Sequence, residues 1–275
     1  MSALRARKEK RASTLYLRHP AALRLTHWFN VIVLSVMLGS GLQIFNAHPA
    51  LYWGKTSTFD RPFIELTYDY NADNQPIGVT RIGSLEFNTT GLFGYSSERG
   101  RGFPTWLTLP SYQSLASGRR WHFFFAWAFV LNGLAFFIWA LARGHLRRDL
   151  LPTLADFKKL PHTIVEHALF RFPKGEEARR YNVIQKLTYL FVLFVLGPVI
   201  VLTGVTMSPT LNAAYPFLLD IFGGRQSART IHFLCAFGFV LFFFVHVALV
   251  IVSGLFNNLR SMITGYYRIE TGGER

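Results

Sequence analysis

Residues 229–255 read RTIHFLCAFGFVLFFFVHVALVIVSGL. After its opening arginine the stretch carries no formal charge through Ser253 and is long enough to cross the hydrocarbon core of a bilayer. Two histidines, His232 and His246, lie inside it, fourteen residues apart. At 100° per residue that separation falls about 40° short of four full turns, so both imidazoles leave nearly the same face, roughly 21 Å apart along the axis. A histidine in hydrocarbon is costly and marks function by default. Two at different depths on one face predict axial ligation of two stacked haems, with partner histidines supplied by other helices.

The composition places the rest of the chain around that helix. Of 275 residues 51% are hydrophobic and 16% aromatic, which is high for a soluble domain. Apolar runs near 28–47, 121–142, 184–206 and 230–255 predict an all-α membrane protein, a four-transmembrane-helix bundle with helices at about 20–47, 119–142, 183–207 and 229–255. The basic start and late apolar segment imitate a signal peptide. No convincing small-residue cleavage site follows, so the segment is read as the first membrane helix.

A net charge of +14 invites nucleic acid, but its distribution argues against that partner. Of the 29 Lys and Arg residues, seven lie in 1–27, ten in 143–186 and three in 255–275, against seven in 48–120 and two in 207–229. The positive-inside rule then puts both termini in the cytoplasm, and the excess charge is a topology signal with affinity for anionic lipid. Cys235 is the single cysteine, which excludes an intrachain disulfide, a cysteine-rich iron–sulfur site and a CxxCH haem attachment. Any haem is therefore non-covalent and b-type.

In chain order, residues 1–19 form a basic, mobile cytoplasmic arm, and 20–255 the four-helix domain. Within that domain 48–118 is a long periplasmic loop, rich in aromatics, Gly and Pro. There FIELTYDY and IGSLEFN alternate as strands about the turn composition NADNQPIG, which predicts a β-hairpin. About seventy residues exceed what two helices need for a connection, so the loop caps the bundle or docks a partner. Residues 143–182 form a basic cytoplasmic loop in which His145, His162 and His167 read as solvated or interfacial. The third helix has no histidine and reads as scaffold, with a kink at Gly197-Pro198. Residues 256–275 are a cytoplasmic tail.

Topology restricts the pairing. His27 lies near the inner end of the first helix, His122 near the outer end of the second, and the fourth helix runs inward from His232 to His246. Depth pairs His122 with His232 on one haem and His27 with His246 on the other. Arg24, Arg119 and Arg229 each stand three residues before a proposed ligand, with Arg120 beside Arg119, one turn closer to the surface where haem propionates want donors. Snorkelling arginines at helix ends give the same pattern. Gly39 and Gly41 interrupt the first helix, either for close helix packing or for the edge of a macrocycle.

With these residues in hand the chain resembles the four-helix di-haem cytochromes b. That family includes the membrane subunits of formate dehydrogenase and nickel–iron hydrogenase and the bacterial cytochrome b561 proteins, and the likeness is greatest to the thiosulfate-reductase-type cytochrome b subunits. The resemblance rests on RLTHWFN, LQIFNAHPALYWG, RRWHFF, KGEEARRYN, GGRQSARTIHF and VHV, from about Arg18 to Tyr267. It implies that His27, His122, His232 and His246 take the family's haem-ligand positions. It also implies a bacterial inner-membrane location, quinone as an exchangeable redox partner, and a periplasmic oxidoreductase partner of the molybdopterin type. The expected role is relay of electrons between the quinone pool and that partner. Two other readings stay open. One is a stand-alone cytochrome b561-like quinone oxidoreductase acting on a small oxidant such as superoxide; the other is a haem-free membrane anchor or transporter.

Overall fold

A computed structural model describes residues 12–169 and 181–271. It is mostly helical. Ala21–Phe45, Leu115–Ala142, Val183–Met207 and Arg225–Val252 are long and apolar enough to cross a membrane, and are termed the first to fourth spans. Only 6% of the most apolar window of the second and fourth spans is buried within the protein, which leaves those side chains to lipid.

Local chemistry sets where the spans begin. Pro20 precedes the first, where its missing N–H costs nothing. The second starts at Leu115 rather than 119, because the Ser114 hydroxyl accepts from the Ser117 amide at 3.3 Å. Asn182 and Gln185 cap the third reciprocally, each side chain accepting from the other's amide at 2.9 and 3.2 Å. The fourth starts at Arg225, earlier than expected. Gly224 sits at φ +108°, and the Gly54 carbonyl accepts from the amides of Gln226 and Ser227 at 3.1 and 3.2 Å. A Cβ on Gly224 would lie 2.7 Å from that carbonyl oxygen. Near Gly197-Pro198 the third span widens into a π turn over Val192–Leu196, directly ahead of the proline that lacks an N–H.

The chain packs as two compact units. One comprises Trp28–Ala135 and Val192–Phe242. Its extramembrane part holds the antiparallel sheet β2 (Ala50–Leu51), β3 (Ile64–Tyr70), β4 (Pro76–Ile82) and β5 (Leu85–Asn88), in that order, and the pair β6 (Gly94–Ser96) and β7 (Arg99–Arg101). The strand opposite β3 is Pro76–Ile82, not IGSLEFN, whose last four residues form a further strand. Two features fix this register. Asn71 Oδ1 accepts from the Asp73 and Gln75 amides and closes a tighter turn than expected, and Arg81 stands directly opposite both Glu65 and Glu86, bonding them at 3.0 and 2.5 Å. Leu42, Phe45, Leu51, Leu66 and Phe103 form the core that joins sheet to helix, with Phe233 of the fourth span packed against it. Buried polar groups tie the seam. Asn46 exchanges two hydrogen bonds with the Phe103 backbone at 2.6 and 3.1 Å, and Arg101 donates to Gln43 at 2.6 Å and to the Ser111 carbonyl at 3.0 Å.

The other unit comprises residues 1–27, 136–191 and 243–275. Its described part corrects the picture of a free arm and a plain tail. β1 (Ala12–Leu17) pairs antiparallel with β8 (Tyr266–Thr271), and Leu255–Thr264 is helical. The amides of Arg18 and His19 donate to the Gly265 carbonyl at 2.8 and 3.2 Å. Leu154–Ala168 is an amphipathic helix in the expected loop, and its Asp156 bonds the buried Lys186 at 2.9 Å. The Thr153 amide and then Lys186 hold the Asp156 carboxyl down to about 2. Most of KGEEARRYN, through Arg180, lies outside the described residues, as does the start of the arm.

Candidate functional site

In the first unit the His122 and His232 rings face each other, centroids 6.1 Å apart and planes at 67°. In the second, His27 and His246 stand 6.3 Å apart at 52°. Two axial imidazoles of one metal, each bonded at about 2 Å with roughly 1.1 Å from nitrogen to ring centre, have centroids about 6.2 Å apart. Both pairs match that separation. All four rings are half-buried.

The first pair is held by two cradles of one design. His122 Nδ1 donates to the Met37 carbonyl at 3.1 Å and lies 3.2 Å from the Ser40 hydroxyl. His232 Nδ1 donates to the Ile200 carbonyl at 3.0 Å and lies 3.2 Å from the Thr203 hydroxyl. Each hydroxyl is itself anchored, Ser40 on the Val36 carbonyl and Thr203 on the Val199 carbonyl, both at 2.7 Å. One residue further on, a Cβ at Gly41 or Gly204 would lie 3.3 Å from the Cε1 of the corresponding ring. Carbonyl, hydroxyl and glycine thus recur at the same helical offsets of zero, three and four on the first and third spans. With the proton fixed on Nδ1, each Nε2 lone pair is left for a metal.

These cradle residues escape a reading based on ligands alone, although the pairs Ser40-Gly41 and Thr203-Gly204, hydroxyl next to glycine in an apolar helix, are their signal. The third span is therefore more than scaffold: it orients His232. Gly41 makes room for an imidazole, while Gly39 serves close packing, since a Cβ there would lie 3.1 Å from the Leu109 Cβ.

The four arginines have separate surroundings. Arg229 donates to the Ala50 and His48 carbonyls at 2.6 and 2.5 Å and lies over the Phe45 ring. Arg24 donates through Nη1 to the Ile263 carbonyl, and its Nε is buried without a hydrogen-bond partner among the described residues. Arg119 lies over the Phe123 ring and Arg120 donates to the Ser117 hydroxyl at 3.3 Å. An orphaned guanidinium N–H in the unit that holds His27 and His246 suits a propionate carboxylate.

His145, expected to be solvated or interfacial, is not solvated. It is buried, with Nδ1 2.6 Å from Asp149 Oδ2. His162 is exposed beside Glu166, and the His167 side chain lies outside the described residues.

Four apolar spans that bring four histidines together as two ring pairs define a membrane cytochrome b. The profile of the prokaryotic cytochrome b561 family matches residues 18–265, and the chain belongs to that family, whose members bind b-type haem. Among curated proteins it is similar to the putative protein-methionine-sulfoxide reductase subunit YedZ1 of Azospira oryzae, 25% identical over 257 residues that cover 92% of this chain and 98% of the relative. No solved structure matches.

Proposed function

We propose that the chain is the electron-relay subunit of a quinone-linked oxidoreductase in the bacterial inner membrane, with both termini cytoplasmic. It holds two b-type haems, one between His122 and His232 and one between His27 and His246. The observation that carries this reading is the pair of ring separations, 6.1 and 6.3 Å, each suited to holding one haem iron between the two rings.

The bound haems supply one-electron chemistry. The protein contributes ligation, orientation and electrostatics. Met37 and Ser40 orient the His122 ring, and Ile200 and Thr203 orient that of His232, so both offer Nε2. Arg24 Nε would serve a propionate of the haem held by His27 and His246, and Arg119, Arg120 and Arg229 would serve those of the other. Held by two histidines, His122 with His232 or His27 with His246, a haem iron would keep no open position for oxygen.

Electrons pass between the quinone pool and a periplasmic protein partner of the molybdopterin type, received on the 46–114 segment. Two observations favour a protein partner over a stand-alone enzyme. That segment folds into a sheet with exposed Phe59, Leu85, Phe87 and Trp106, and the Azospira oryzae relative is named as a reductase subunit. Its name also points to oxidised protein methionine as a terminal substrate.

The test is a reduced-minus-oxidised spectrum with a pyridine haemochrome assay on purified protein, repeated after His232→Ala and His246→Ala. The expected result is about two b haems per chain, and a different single haem lost in each variant. Two full haems in either variant overturn the ligand assignment.

A further inference from the structure

The second span ends at Ala142, and Gly144, at φ +64°, turns the chain into a π turn over Leu146–Leu150. This turn sets Asp149 Oδ2 2.6 Å from His145 Nδ1. The carboxylate accepts the Nδ1 proton, which leaves Nε2 as the nitrogen of the ring open to a further partner. That atom is buried and has no hydrogen-bond partner among the described residues, although His145 is only 8% exposed. At the other end of the dyad, 47% of the Asp149 side chain is open to solvent. A base thus points into the protein while its carboxylate reaches water.

The surroundings of the ring define what would complete it. Trp139 lies 5.2 Å away, centroid to centroid, and offers an aromatic face. His19 is buried, its Nδ1 has no hydrogen-bond partner among the described residues, and both His27 and His145 lie in its electrostatic environment. Burial, then Arg18, hold His19 down to about 3, so this neighbour is a neutral imidazole. Tyr181 and Tyr189 pack edge to face at 5.5 Å; Tyr181 feels Asp149 and both feel Arg18. Arg147 and Arg148 are the remaining charges on the turn. Aromatic faces, neutral hydrogen-bonding rings and one buried acceptor select a planar, uncharged aromatic ligand with an O–H donor.

We propose that His145 is the proton acceptor for a quinol bound beside Trp139, with Asp149 as its positioning residue and outlet to water. This inference rests on the quinone-linked relay proposed above and assigns residues to its quinol site. In the forward direction the quinol O–H bond breaks and its proton joins Nε2, while the proton on Nδ1 passes to Asp149 and on to solvent. Haem held by the proposed histidine pairs would supply the one-electron acceptor for both electrons. The second proton leaves from the other hydroxyl to water as the quinone departs. Quinone reduction runs the same path backward.

The test compares wild type, His145→Asn and Asp149→Asn in detergent, using menadiol as electron donor and dithionite as control. Haem content and midpoint potentials are measured first, then the rate of haem reduction by menadiol from pH 6 to 9. The proposal expects wild-type haem content in both variants, a loss of about 100-fold in menadiol-driven reduction for His145→Asn at pH 7, and a smaller loss for Asp149→Asn. The His145→Asn deficit shrinks toward pH 9, where the donor sheds its own proton. Wild-type rates and pH profiles in both variants, with wild type readily reduced by menadiol, overturn the proposal and leave the relay standing. Loss of a haem in His145→Asn also overturns it, by making His145 a haem contact. Wild type that dithionite reduces and menadiol does not removes the quinone reading and this proposal together.

Discussion

Gly204 offers a graded test of the His232 cradle. A Cβ there would sit 3.3 Å from the His232 Cε1 and 3.7 Å from Nδ1. Favourable carbon–carbon contact begins at about 3.5 Å, so Gly204→Ala asks the ring to yield by roughly 0.2 Å, against a helix-propensity gain of about 1 kcal/mol. Metal–ligand distances tolerate about ±0.2 Å, which places alanine at the edge of what a ligated imidazole can absorb. Gly204→Val adds two carbons about 1.5 Å beyond that Cβ, and such overpacking costs about 1–3 kcal/mol unless the ring leaves its place. The control is Gly133→Val on the second span, where nothing lies within 4 Å of the added Cβ. Haem per chain by pyridine haemochrome and redox titration should show both haems in Gly204→Ala, with one midpoint moved by tens of millivolts. Gly204→Val should lose one haem, and Gly133→Val should match wild type. Two haems with unshifted potentials in Gly204→Val would refute the reasoning, because the ring would then not depend on that gap.

Three further outcomes follow from the packing. Thr203→Val should keep both haems while shifting one midpoint by about 40 mV, the equivalent of one net hydrogen bond of roughly 1 kcal/mol, because the Ile200 carbonyl still receives the Nδ1 proton. Asn46→Ala should lower stability by about 2–4 kcal/mol in thermal unfolding with intact haem content, because it leaves both backbone groups of buried Phe103 unpaired. Asp156 is held at about 2, below its ordinary 3.8, so its contribution is present above about pH 4 and is lost as the pH falls toward 2. The stability gap between wild type and Asp156→Asn, at most about 2 kcal/mol from this term, should therefore narrow from pH 5 to pH 3.

The spans were legible because hydrocarbon demands one thing of every side chain that faces it. The spacing of His232 and His246 was equally open to helix arithmetic, and the structure brings each of them to the partner that depth suggests. The third span's part was harder to see, since orienting a ligand needs only a carbonyl, a hydroxyl and a missing Cβ, and a carbonyl has no sequence signature. The pairing of β1 with β8 joins residues some 250 positions apart, and Thr14, Tyr16, Arg268 and Glu270 carry no local mark of it. His145 illustrates the same limit in reverse. Its sequence neighbours Arg147 and Arg148 suggest solvent, whereas the turn that buries it depends on Gly144 and on an aspartate four residues on.

The two cradles also bear on how such a protein is loaded. Metal binding to histidine ordinarily competes with protons, and a ring that must exchange tautomers adds a step before it can bind. Met37 and Ile200 settle that choice in the bare polypeptide, keeping the proton on the nitrogen that faces the helix backbone. In the proposed centre, insertion of haem between His122 and His232 then needs no rearrangement of protons at either ring. The same feature makes assembly sensitive to helix register. A slip of one residue by the first or third span would turn its carbonyl and hydroxyl about 100° away and leave the matching ring without its guide.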